Sequence, residues 1–229
     1  MTSQPRELIL GRIRQALADV PFVETPEDVE VPRDYHRAAP ASADDHTSPA
    51  VVDQFSDRAA EYRAQVTRCS RTNAATIVTR LLTQQGIATL VIPPGFPADL
   101  LPTYGTVAPL YDDPPLSVGA LNAAHGVIST CALAIAQTAT IILDAGPGQG
   151  RRALTLLPDY HLCLVAAEQI VASVPDAIAS LDPTRALTLI SGPSATSDIE
   201  NNRVEGVHGP RNLHILILDD SPETQGHHP

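Results

Sequence analysis

The chain has 229 residues, 43% of them hydrophobic but only 3% aromatic, no Trp, and a formal net charge of -11. That length suits one sizeable domain with an appendage, and its core has to be built from Ala, Val, Leu and Ile, which fits parallel strands buried on both faces. The acidic balance excludes nucleic acid as the expected partner, because phosphate binding needs clustered Lys and Arg.

Cys69, Cys131 and Cys163 are far apart and none forms a C-x-x-C pair. No iron–sulfur or zinc site of the local kind is therefore expected, and no metal or cofactor is called for. Residues 1–20 carry Arg6, Glu7, Arg12, Arg14 and Asp19 without a long apolar core, so they do not read as a signal peptide. No apolar run reaches membrane-spanning length. The expectation is a soluble, cytoplasmic protein.

In chain order, residues 5–20 form an amphipathic pattern with Leu8, Ile9, Ile13, Ala16 and Leu17 on one side, a helix that either packs on its own domain or docks another subunit. Residues 21–49 hold five prolines among acidic and small residues and read as a linker. Residues 50–69 return to helical spacing through Val51, Val52, Phe55, Ala59, Tyr62 and Val66. A helix over 73–85 follows, stopped at Gly86, and then a buried strand over 87–92. A strand is predicted within 105–111, and the adjacent Asp112 and Asp113 read as a solvated turn.

The next region places Asn122, His125, Ser129 and Thr130 around apolar residues, with helical turns over 131–137 and a strand over 138–143. Residues 145–150, AGPGQG, lead directly to Arg151 and Arg152. This loop has neither the Lys of a P-loop nor dinucleotide glycine spacing. A flexible loop can still bring backbone N–H groups to a ligand, and an Arg fork suits carboxylate or phosphate. A buried strand over 161–166, in which Cys163 reads as an inert core thiol, precedes a helix over 168–181.

Two short apolar strands, 186–190 and 213–218, bracket the most informative stretch. It contains Gly192-Pro193 and Gly209-Pro210, with Ser194, Thr196, Ser197 and Asp198 placed as helix caps. A strand, a small-residue loop and a helix N-terminus would aim free N–H groups at one anion. His208, between Gly206 and Gly209, offers an imidazole near neutral pH or simply fixes the turn. Residues 221–229 read as a disordered tail.

These residues carry a resemblance. SGPSATSDIE followed by GVHGP resembles the C-terminal signature of the LUD-domain family, of which lactate-utilisation protein C is a branch, and matches at Gly192, Pro193, Ser194, Thr196, Asp198, Ile199, Glu200 and Gly206 to Pro210. Ala195 stands where Arg is usual. The family pattern AIAETGT is similar to residues 134–140, with Gln137 for the usual Glu and Ala139 for the usual Gly. An Arg pair before Leu156-Leu157-Pro158 also matches.

The resemblance implies a fold similar to the glucosamine-phosphate deaminase, ribose-phosphate isomerase and CoA-transferase superfamily. It also implies a non-redox, anion-binding or partner-binding component of a lactate-utilisation system, working with iron–sulfur proteins that oxidise L-lactate to pyruvate. The alternative is a stand-alone enzyme or sensor for a phosphorylated or CoA-type metabolite. Whether the chain is an enzyme stays open, and Gln137 counts against a glutamyl nucleophile.

The expected architecture is α/β: a mainly parallel sheet flanked by helices, with a helical arm at residues 1–20, a linker at 21–49, the α/β domain at 50–220 and the tail at 221–229. In such sheets ligands sit at the carboxyl ends of strands. The expected ligand-binding residues are Ser129, Thr130, Gln137, Thr138, Arg151, Arg152, Gly192, Ser194, Thr196 and His208, and the candidates for catalysis are His208 and Asp198.

Overall fold

The structure, a computed structural model, describes residues 4–19, 48–102, 105, 107–197, 203–205 and 208–220. The linker other than residues 48 and 49, Asp198, and the tail lie outside the described residues. Helix α1 (Gln4–Ala16) belongs to a unit of its own, Met1–His36, and the remaining elements to Arg37–Pro229.

In the larger unit, helix α2 (Pro49–Glu61) starts where sequence chemistry places a start, with Pro49 in its first turn and Ser48 accepting the Ala50 N–H at 3.3 Å. It buries Val52, Phe55 and Ala59 along one face. Arg63 adopts a positive φ of 68°, and strand β1 (Gln65–Cys69) follows. The helix expected over 50–69 is therefore half helix and half edge strand, because Val66 pairs with Ile215 instead of continuing the apolar stripe. Helix α3 (Ala74–Gln84) ends at Gly86, whose φ of 66° supplies the left-handed stop.

Strands β2 (Thr89–Ile92) and β3 (Ala108–Tyr111) come next, then helix α4 (Val118–Ala123) and strand β4 (Gly126–Ser129). Strand β5 (Leu133–Ile135) replaces the helical turns expected over 131–137 and pairs antiparallel with β6 (Thr140–Leu143). A short period of apolar residues does not distinguish a helical turn from a buried strand, and the hairpin decided it. After strand β7 (Tyr160–Ala166), the helix expected over 168–181 resolves into a single 3-10 turn, strand β8 (Ile170–Val171) and helix α5 (Val174–Ser180). Ser173 caps α5 with Pro175 in the first turn, so that proline begins a helix and does not kink one. Strands β9 (Thr188–Ser191), β10 (Ala195–Ser197), β11 (Arg203–Glu205) and β12 (Asn212–Leu218) complete the chain.

One sheet is six-stranded in the order β1-β12-β7-β4-β2-β3, and every pairing in it is parallel. The α/β expectation holds for this sheet. A second, four-stranded sheet, β8-β5-β6-β9, was not anticipated. It covers one face of the first: Ala134, Ile141, Leu143 and Ile170 pack with Phe55 of α2 on Cys163, Val165, Leu213, Ile215 and Ile217. Helix α3 covers the other face, over Ile128, Leu162, Leu164 and Leu216. Between β6 and β7 the chain crosses the sheet in a 3-10 turn, Arg152–Thr155, anchored by Leu154 against Val91, Leu121 and Val127.

Candidate functional site

The two arginines that follow the Gly-rich loop have separate surroundings. Arg151 donates through Nε and Nη2 to the two carboxylate oxygens of Asp112, each at 3.0 Å, and through Nη2 to the Leu116 carbonyl at 2.7 Å. Of the two aspartates expected to be solvated, Asp113 is exposed, but Asp112 is 5% exposed and is one half of a fork-to-fork ion pair. Burial works to raise the Asp112 carboxyl; the Arg151 fork, the Leu116 amide and the Arg151 charge together outweigh it and hold the group below its ordinary range. Arg152 lies exposed on the crossover turn, with only long contacts of 3.4 Å from Nη1 to the carbonyl and hydroxyl oxygens of Thr155. Among the described residues no carboxylate lies within ion-pair distance of it.

Arg152 forms one wall of an open cleft of about 210 Å³, shared with Thr155, His161, Ser191, Ser194 and His208. The Gly192-Pro193 and Gly209-Pro210 turns close its rim and Leu213 lies at its base. The turns are tied together: Ser194 N–H donates to the Pro210 carbonyl at 2.8 Å, and His208 N–H donates to Ser194 Oγ at 3.1 Å. Gly192 must be glycine, since its φ is 79° and a Cβ there would lie 2.7 Å from the Tyr62 carbonyl oxygen. Among the described residues no helix starts after this turn. Residues 195–197 form β10, which pairs with β11, so the expected helix-terminus anion site and helix-capping role are not formed by Ser194, Thr196 and Ser197.

The remaining expected residues are distributed around the molecule. Ser129 is fully buried at the end of β4, and its Oγ lies 2.7 Å from Nε2 of His161, itself 1% exposed on the floor of the cleft. Thr130 holds the Gly-rich loop: its N–H donates to the Gly148 carbonyl at 2.9 Å and its Oγ1 to the Pro147 carbonyl at 3.2 Å. That loop is not a cradle of free amides. Gly146 N–H donates to Asp144, Gly148 N–H to the Pro94 carbonyl and Gln149 N–H to the Gly146 carbonyl. Gln137 is exposed in the β5–β6 turn, its N–H donating to the Ala172 carbonyl. Thr138 meets Thr140 at 2.7 Å, and Thr140 meets Ser191 of the cleft wall at 2.8 Å.

The convergence expected at the carboxyl ends of the parallel strands therefore divides. Ser129, Thr130 and the loop over 145–150 lie at that end. Arg152, Ser194 and His208 surround the amino-terminal halves of β7 and β12, where His161 is the second residue of β7 and Leu213 the second of β12. Sequence reasoning missed His161, Thr155 and Ser191. The one available signal was a histidine inside the apolar run of 161–166.

A second open cleft, between the loop over 145–150 and the end of α5, is lined by Asp144, Gln149, Asp182 and Arg185. Asp144 and Arg185 form an ion pair there at 3.1 Å. Cys131 and Cys163 are both buried and neither is in a disulfide. Of the two thiols Cys131 is pushed up, by its hydrogen bond to Cys163 and by burial. The Cys163 thiol is drawn down by its hydrogen bond to Cys131, against burial, and by His161 and Ser129. Among the described residues no group of three or more His, Cys, Asp and Glu side chains could hold a metal ion, and no helix is long and apolar enough to cross a membrane.

Comparison with known proteins gives this cleft a family context. The LUD domain profile matches residues 120–218, which span β4 to β12. The lactate utilization protein C of Deinococcus radiodurans is 44% identical over 172 residues, 73% of this chain and 79% of that one. The lactate utilization protein C of Bacillus pumilus is 36% identical over 94 residues, 38% of this chain, which spans only 39% of that longer relative. A crystal structure of a DUF162 family protein from Deinococcus radiodurans superimposes with a TM-score of 0.63 at 37% identity, covering 74% of this chain and 97% of the other. The chain belongs to the LUD-domain family, alongside the proteins named lactate utilization protein C.

Proposed function

We propose that this protein takes part in lactate utilisation as a subunit that binds a small anion in the cleft of Arg152, Ser194 and His208, and that it carries no electrons itself. The observation that carries the reading is Arg152: an exposed guanidinium without a carboxylate partner among the described residues, facing hydroxyls and imidazoles across about 210 Å³. A guanidinium beside hydroxyls and imidazoles is what a carboxylate or phosphate requires. The names of the relatives supply the pathway. The sequence spacing of Cys69, Cys131 and Cys163 supports leaving electron transfer to iron–sulfur partners.

A CoA-type ligand is the weaker reading, because a cleft of about 210 Å³ is below the roughly 300–1,000 Å³ of sites that enclose larger molecules. The test is a titration of purified protein with L-lactate, pyruvate, inorganic phosphate and acetyl-CoA, followed by thermal melting. A ligand at a hundredfold excess over its Kd adds about 2.7 kcal/mol, which for a domain of this size raises Tm by roughly 5–10 °C. The rise should vanish in Arg152→Ala. Identical shifts in parent and variant would put the site elsewhere, and acetyl-CoA alone shifting Tm would favour the other ligand class.

A further inference from the structure

Ser129 and His161 are polar side chains in an otherwise apolar wall. They stand on adjacent parallel strands, on the face that also carries Cys163, with Ser129 fully buried and His161 1% exposed. Burying two such groups is costly, and one mutual hydrogen bond offsets that only in part. An imidazole has two ring nitrogens, and Ser129 engages Nε2. Ser129 leaves Nδ1 unengaged, and the ring, which also meets Cys163, lines the cleft that Arg152 also lines.

The cleft holds about 210 Å³ and is open to solvent. A small ligand with its acidic group on Arg152 and an oxygen on His161 would join the two side chains that line this cleft. Ser129 adds a chemical consequence. Its hydroxyl either donates to Nε2, leaving an N–H at Nδ1, or accepts from Nε2–H, leaving a lone pair there. The ring can thus meet a ketone oxygen as donor or a hydroxyl as acceptor.

Resting on the anion-cleft reading above, we propose that His161, fixed by Ser129, is the specificity group of the cleft. It hydrogen-bonds the 2-oxygen of a short 2-hydroxy or 2-oxo monocarboxylate whose carboxylate is held by Arg152. Ser129 is a positioning residue that sets the orientation and tautomer of the ring.

The test is calorimetric titration of the full chain with L-lactate, pyruvate, propionate and inorganic phosphate, for the parent and the variants His161→Leu, Ser129→Ala and Arg152→Ala. The parent should prefer lactate or pyruvate over propionate by roughly tenfold or more, the value of one hydrogen bond to a charged or polar partner. His161→Leu should bring the three within about twofold while propionate affinity stays at the parent's value. Ser129→Ala should reduce the preference and shift the assigned imidazole ¹⁵N signals of His161. If His161→Leu does not fold, the same ¹⁵N signals in the parent must move with lactate or pyruvate and stay fixed with propionate. Carboxylates bound without preference, a preference that survives in His161→Leu, or ¹⁵N signals that propionate moves equally would overturn the assignment and leave the cleft in place. Phosphate bound more tightly than every carboxylate would overturn the ligand class. No binding at all, or binding unchanged in Arg152→Ala, removes the cleft reading itself.

Discussion

Arg151 and Arg152 show how adjacent residues of one type divide between structure and surface. Arg151 is joined to a carboxylate whose side chain is 4% exposed, while the guanidinium side chain is itself 39% exposed. Asp112→Ala should cost roughly 1–3 kcal/mol, toward the lower end because water can take the Arg151 donors, and urea denaturation measures it. The folded-state pKa of Asp112 is depressed, so its contribution is present at neutral pH and is lost as pH falls through that lowered value. Asp112→Asn should flatten the acid end of the stability profile; an unchanged slope would show that the pair contributes nothing.

His214 titrates in the opposite sense from an ion-paired histidine. Burial pushes its imidazole down to about 4. Its Nε2 is 2.9 Å from Thr67 Oγ1, and its buried Nδ1 has no partner among the described residues. The unfolded chain binds a proton near pH 6.5 that the folded chain resists until about 4. Stability is therefore full above pH 6.5 and falls between pH 6.5 and 4. His214→Leu should remove about one proton from the slope of stability in that window, measured by denaturation at several pH values.

At the scale of elements, the rim of the cleft depends on two Gly-Pro turns held by hydrogen bonds from the Ser194 N–H to the Pro210 carbonyl and from the His208 N–H to the Ser194 hydroxyl. Gly192→Ala would combine a left-handed backbone with a Cβ 2.7 Å from the Tyr62 carbonyl oxygen at the end of α2. The left-handed conformation alone costs about 1–2 kcal/mol for a residue with a Cβ, so the variant should lose at least that much stability and should bind anions weakly even when folded. Full anion affinity in this variant would show that the turn does not shape the site. The helix expected after Gly192 failed for a local reason. Ser, Thr and Asp favour turns and strand ends as readily as caps, and β10 found a partner in β11.

For the whole molecule, helix α1 and the turn after it carry Leu8, Ile9, Ile13 and Leu17, each 48–59% exposed. If the helix docks a lactate-utilisation partner, the double substitution Leu8→Asp and Ile13→Asp should abolish co-purification with the proposed iron–sulfur proteins and leave anion-induced melting shifts intact. A partner retained by the double variant would show that the helix is not the docking arm.

Much of the main domain was written locally. The buried strands at 87–92, 161–166 and 213–218, the stop at Gly86 and the signature around Gly192 and His208 are each set by composition, periodicity or a turn residue, which act over a few positions. Tertiary structure decided the rest, because those outcomes depend on what lies opposite. Val66 joined a strand because β12 was there to pair with it, and residues 131–137 and 168–181 yielded strands because a second sheet had to cover Val165 and Ile215. Asp112 captured one arginine and left the other facing the cleft. His161 became a cleft residue only when β4 brought Ser129 beside it, 32 positions away in the chain.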